Sequence, residues 1–104
     1  MAIAYISEYE TMVTIGPGMG IQVAREPSLA EQDITYSSST PCAALNNKTR
    51  FVRIICDADA FVLFNEPGVT TNATATNSKL IKADTVEYFG VRGGMLIEFY
   101  DGTS

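Results

Sequence analysis

The chain predicts an all-β protein, a small antiparallel sandwich or barrel of about seven or eight short strands. Three observations carry that expectation. Apolar runs of roughly 4 to 8 residues, rich in Val, Ile and Phe, are bounded by Gly, Pro, Asn or Asp. Turn residues recur at spacings of about 8 to 12 residues. No window sustains the 3.6-residue apolar period over the ~10 to 12 residues that a packed helix needs. At 104 residues, a single domain over 1–104 with one core is expected.

The elements follow in order. Residues 2–9 alternate loosely, with Ala2, Ala4 and Ile6 on one side and Ile3, Tyr5 and Ser7 on the other. Residues 1–10 are read as an N-terminal arm or edge strand. Residues 11–15 make a second strand with Val13 and Ile15 in phase. The run GPGMG at 16–20 then forces a turn, and 21–24 is short enough to be the returning strand of a hairpin. Over 27–31, Ser28 and Glu31 have the spacing of a capping box, so one helical turn is expected there. Residues 33–37 resume as strand or extended loop.

The second half is the clearer one and reads as four short strands. In 50–56 the face Val52, Ile54, Cys56 is apolar, while Arg53 stands between Phe51 and Ile55 on the other, which hints that this side is partly covered. In 95–100 the alternation assigns Met95, Ile97 and Phe99 to the core. Leu96, Glu98 and Tyr100 fall on the opposite face, toward solvent or a partner. Between them, residues 69–78 contain TTNATATN. Small uncharged side chains suit a long surface loop, or an extended arm lying against another subunit.

Composition narrows the function. The formal net charge is −5, and the seven basic residues are scattered, whereas nucleic-acid binding needs cations massed on one face. No apolar stretch approaches the ~20 residues that span a bilayer, and no secretory leader is visible; synthesis in a cytoplasm is expected. With no histidine, Ser-His-Asp and Cys-His arrangements and histidine metal sites are excluded. Cys42 and Cys56 read as a loop thiol and a buried small hydrophobe, with a disulfide as the alternative.

Other constellations are weak. GPGMG lacks the Lys-Ser/Thr of a phosphate loop, and Asp57 with Asp59 offers few oxygens for calcium. Glu8 with Glu10, or Glu26 with Glu31, are not placed across any substrate by the sequence. Two sequons, at Asn47 and Asn72, are loop composition. The expectation is a non-enzymatic binding or structural protein, with no cofactor and no metal.

One resemblance sharpens this. Residues 51–94 carry an FVRI strand, DADAFVLFN, the loop Asn72-Ala73-Thr74-Ala75-Thr76, the segment Glu87-Tyr88-Phe89-Gly90-Val91 and the turn Gly93-Gly94. This order resembles small virion proteins of tailed bacteriophages and prophages, over about the last half of the chain. The resemblance implies a jelly-roll-like sandwich and a capsid decoration (cement) protein on the virion surface, bound to the major capsid protein and to copies of itself. It brings no catalytic residue.

Tyrosine and methionine are common interface anchors. Tyr5, Tyr9, Met12, Thr71, Asn72, Thr74 and Tyr100 are therefore the candidate partner-binding residues. Alternatives are a tail, neck or head-fibre component, and a small ligand- or carbohydrate-binding sandwich with Tyr88, Phe89 or Tyr100 as stacking surface.

Overall fold

Strand formation follows the two-residue alternation of apolar positions, and each break falls on a turn residue. In the computed structural model, which describes residues 2–15, 21–24 and 26–101 (12–15 and 21–24 as backbone only), there are ten strands. They are β1 (Ala2–Tyr9), β2 (Met12–Ile15), β3 (Ile21–Ala24), β4 (Ala30–Tyr36), β5 (Thr40–Pro41), β6 (Phe51–Cys56), β7 (Ala60–Asn65), β8 (Lys79–Ile81), β9 (Val86–Gly90) and β10 (Leu96–Asp101). Eight of them form two four-stranded antiparallel sheets, β4-β1-β6-β9 and β5-β10-β7-β8. The expected all-β sandwich is what the chain forms.

The pairing is that of one long ribbon folded over. The register that pairs Ala60 with Ile81 in β7–β8 continues to Phe51 with Gly90 in β6–β9, with equal numbers of residues on both limbs. Further out, Thr40 and Pro41 of β5 pair with Phe99 and Glu98 of β10. From β4 to β10 successive strands alternate between the two sheets except at the β7–β8 hairpin, which gives the jelly-roll-like order. The outermost pair departs from it in one respect: β4 is matched by β1 from the beginning of the chain.

β1 is an interior strand, with β4 on one side and β6 on the other. The expectation of an arm or edge strand over 1–10 therefore gives way for residues 2–9. Ala2, Ala4 and Ile6 are buried against the core, and both backbone edges of the strand are paired. β2 and β3 are the expected hairpin, pairing only with each other, with Val13 opposite Val23 and Ile15 opposite Ile21. The expected GPGMG turn lies outside the described residues.

Two other local expectations change. No helical turn forms at 27–31. The Ser28 hydroxyl does donate to Glu31 at 2.5 Å, but Glu31 is already in β4, so the capping-box spacing closes a bend instead. The second half holds five strands rather than four. Asp84, with φ 60°, turns the chain between Ile81 and Val86 and separates β8 from β9.

The core lies between the sheets. Ile6, Ile54, Val52, Ile97 and Phe99 are fully buried, each contributing about 1.5–3 kcal/mol of burial. Tyr36 stacks at a tilt on Phe99, with centroids 5.8 Å apart, and donates its hydroxyl to the Ala58 carbonyl at 2.9 Å. Phe64 and Phe89, 4.8 Å apart, pack across the layer between the two sheets. Gly93 is required by contact. A Cβ there would come within 2.4 Å of the Asn47 carbonyl oxygen, so the 92–95 turn is pressed onto the 45–48 loop.

Candidate interaction surface

The polar groups sort into those that hold loops and those that face outward. Glu8 is 1 % exposed and lies on the core side of β1. Its carboxylate accepts Thr49 Oγ1 (2.8 Å), the Asn46 amide (2.8 Å) and Gln32 Nε2 (2.9 Å). The Gln32 side chain also exchanges two hydrogen bonds with the Ala43 backbone, acting as a strand partner for that loop. Glu8 is thus the bolt that holds loop 42–50 over one end of the core.

Several other carboxylates are also engaged. Asp57 Oδ1 accepts the Ile3 amide. Asp59 accepts the Ala83 amide and Lys82 Nζ, which hold its carboxyl below the usual range, the amide bond being the larger cause. Glu31 accepts Ser7 and Ser28 hydroxyls, and Glu26 accepts Tyr9. A shallow cavity is lined by Glu10, Thr11, Glu26, Pro27 and Leu29, and no cation among the described residues lines it to set against its two carboxylates. Among the described residues, no group of three or more His, Cys, Asp or Glu could hold a metal ion.

Both cysteines are free and buried. Burial pushes each thiol up to about 11, so neither is a nucleophile near neutrality. Cys42 lies in the loop after β5 as expected, but it is buried, and its sulfur accepts the Ile97 amide at 3.3 Å.

The outer faces of the two sheets are treated differently. On the second sheet, register places Glu98, Leu63, Leu96, Phe61 and Tyr100 outward, yet Glu98 is only 2 % exposed. The 66–78 loop covers it. Asn65 Nδ2 donates to the Thr71 carbonyl, and the Ala73 amide donates to Ser39 Oγ, whose hydroxyl in turn donates to Glu98 at 2.7 Å. The expected solvent-facing Glu98 is therefore roofed, and Ala73 is buried above it. Beyond Ala73, Thr74, Asn77 and Ser78 close a turn through bonds among themselves, including the Thr74 amide to Asn77 Oδ1 at 2.8 Å. Over 71–73 the loop lies on its own sandwich rather than reaching away as an arm.

On the first sheet the 26–29 segment lies over one end, where Ser7 and Tyr9 are buried and Glu26 accepts the Tyr9 hydroxyl, and among the described residues no loop covers the rest. Cross-strand rows run Val86–Ile55–Tyr5–Asp33 and Tyr88–Arg53–Ser7–Glu31 over β9, β6, β1 and β4. Tyr5 is 42 % exposed and Tyr88 51 %. At one end the rings of Tyr9, Phe51 and Tyr88 follow one another, with centroids 5.3 and 6.3 Å apart. The Glu26 bond, aided by burial, raises the Tyr9 hydroxyl to about 12.

The candidate partner residues are thus divided. Tyr5 and Tyr9 share the first sheet's outer face, Tyr5 exposed and Tyr9 buried under its hydrogen bond. Met12 begins β2, where only the backbone is described. Thr71, Asn72 and Thr74 are exposed on the loop across the molecule, and Tyr100 is half-buried there against Phe61. Of the alternative stacking residues, only Tyr88 is open, since Phe89 packs inward on Phe64. Sequence reasoning passes over Arg53, Val86 and Tyr88 as one surface, because strand pairing alone brings β9 beside β6. Comparison of the chain with family models, with curated proteins and with solved structures finds no match to any of them.

Proposed function

We propose that this chain is a non-enzymatic structural protein of a tailed-phage virion, a decoration protein that attaches in many copies to the outside of the capsid shell. The observation that supports this most is the contrast between the two outer faces. One is covered over Glu98 by the chain's own loop, which leaves Leu80 open beside the half-buried Phe61 and Tyr100, while the other presents Tyr5, Tyr88 and Val86 to solvent around Arg53. An apolar, aromatic sheet face of this kind is a docking surface. The order of segments over 51–94 supports the virion setting, and the net charge of −5 keeps free copies soluble before assembly.

The polar side chains serve architecture in this reading. Glu8, Asp57, Asp59 and Glu98 fasten loops. The separate β2–β3 hairpin supports attachment as well, since a two-stranded ribbon is marginally stable alone and gains from a neighbour. The test is co-sedimentation with empty capsids lacking the protein. Binding at a fixed copy ratio, with a raised temperature of capsid disruption, is the expected result. Purified protein that neither co-sediments nor protects the shell would end the capsid reading and point to the tail or neck.

A further inference from the structure

Three of the six exposed large hydrophobic side chains among the described residues, Tyr5, Val86 and Tyr88, fall on the outer face of the first sheet. Among them stands Arg53, half-buried and without an ion pair among the described residues. A guanidinium held in such surroundings calls for a carboxylate. The carboxylate at the same height on this face is Glu31, two strands away across Ser7, whose hydroxyl donates to it at 2.7 Å. Arg53 and Glu31 are about 10 Å apart at ordinary strand spacing, with the middle of the sheet between β6 and β1.

A two-fold axis along that middle line exchanges β6 with β1 and β9 with β4 while keeping every row at its own height. It sets Ile55 of one copy over Tyr5 of the other. It also sets Arg53 over the Ser7–Glu31 pair, with Tyr88 over Glu31. Sheets stacked face to face stand about 10 Å apart, a gap that an extended arginine and a glutamate bridge together. Aligned sheets are rotated by roughly 30°, which disturbs rows near the centre least, and these are the central rows. The face is complementary to itself.

We propose that this face joins two copies of the chain about that axis, Arg53 of each copy pairing with Glu31 of the other. The proposal rests on reading this face as a docking surface and gives it to a second copy, so that a dimer would attach to a capsid through its other surfaces. Committing to a second copy follows from charge. Arg53 on one side of the axis and Glu31 on the other make a pattern that a copy of the same face satisfies twice.

The experiment is sedimentation equilibrium up to several hundred micromolar on the full chain, with two charge reversals. Wild type is expected to be a dimer. Arg53→Glu and Glu31→Arg alone should each weaken self-association by about two orders of magnitude or more. An equimolar mixture of the two variants should form a heterodimer, because each copy then carries the charge its partner lacks. Recovery in the mixture excludes misfolding as the cause of the loss. A wild type that stays monomeric, a single variant that dimerises normally, or a mixture that stays monomeric would each overturn the proposal. If monomeric protein still decorates capsids, the face belongs to the capsid subunit and the decoration reading stands. If it binds a glycan lost with Tyr88→Ala, the face belongs to a sugar.

Discussion

Glu8 shows how far a residue's role depends on register. In the sequence it is one of several acidic residues near Tyr5 and Tyr9. In the fold it continues the inward face of Ala2, Ala4 and Ile6, and its carboxylate replaces water for Thr49, Asn46 and Gln32. Glu8→Ala would leave those donors buried without an acceptor, at about 1–3 kcal/mol for each one that water cannot reach. A fall in stability of at least ~2 kcal/mol by urea titration is expected, with loop 42–50 losing amide protection first. Equal stability of the variant would mean that the loop is held by other contacts. Protonation adds a second prediction. Cys42, Cys56 and Tyr9 keep their protons in the fold to about 11, 11 and 12, and burial drives Tyr36 upward too. The unfolded chain gives up thiol protons near pH ~8.5 and phenol protons near ~10. Stability from these groups is whole below ~8.5 and lost as pH rises through the folded values. The urea midpoint should therefore drop steadily from pH 8 to 11; a flat midpoint over that span would contradict the assignment.

Elements were legible where alternation and turn chemistry agree. Val52, Ile54 and Cys56, and Ile97 with Phe99, read as inward positions and are fully buried. The β2–β3 hairpin is readable from in-phase Val13 and Ile15 ahead of a glycine-rich turn. Failures occur where a tertiary partner decides. Ser28 and Glu31 keep their hydrogen bond but not the helix, because Glu31 is drawn into pairing opposite Ser7. Glu98 looks wet by alternation and is dry, since a covering loop carries no periodicity of its own. The TTNATATN composition leaves a surface loop and an arm against another subunit both open; the loop is what forms, with Thr74 and Asn77 side chains spent on the backbone of the same loop. The candidate surface was half legible. Tyr5 marks it in the sequence, but Tyr88 and Arg53 join it only through the β6–β9 register.

For the whole molecule, strand count and class are readable, and strand order is not, because sandwiches of equal strand number differ in their connections. Ala2 pairs with Tyr36, and the Asp101 amide donates to the Ser37 carbonyl, so β1 begins where β10 ends. A circular permutant that joins these two ends through a short glycine linker and opens the chain at 10–11 should fold with an unchanged near-ultraviolet spectrum. It would run through the sandwich in continuous ribbon order, and failure to fold would show that the break after β10 matters to the fold itself.

The middle positions of the two sheets also set the timing of events at the ribosome. Of these strands β1 is made before the others and waits for β6 before both of its edges are paired, while β10, following the rest of them, separates β5 from β7. Among the described residues β5 pairs with no other strand. The second sheet therefore cannot close on a nascent chain until residues 96–101 have left the exit tunnel. Until then the apolar inner face of the first sheet has only the β7–β8 pair of the second to cover it.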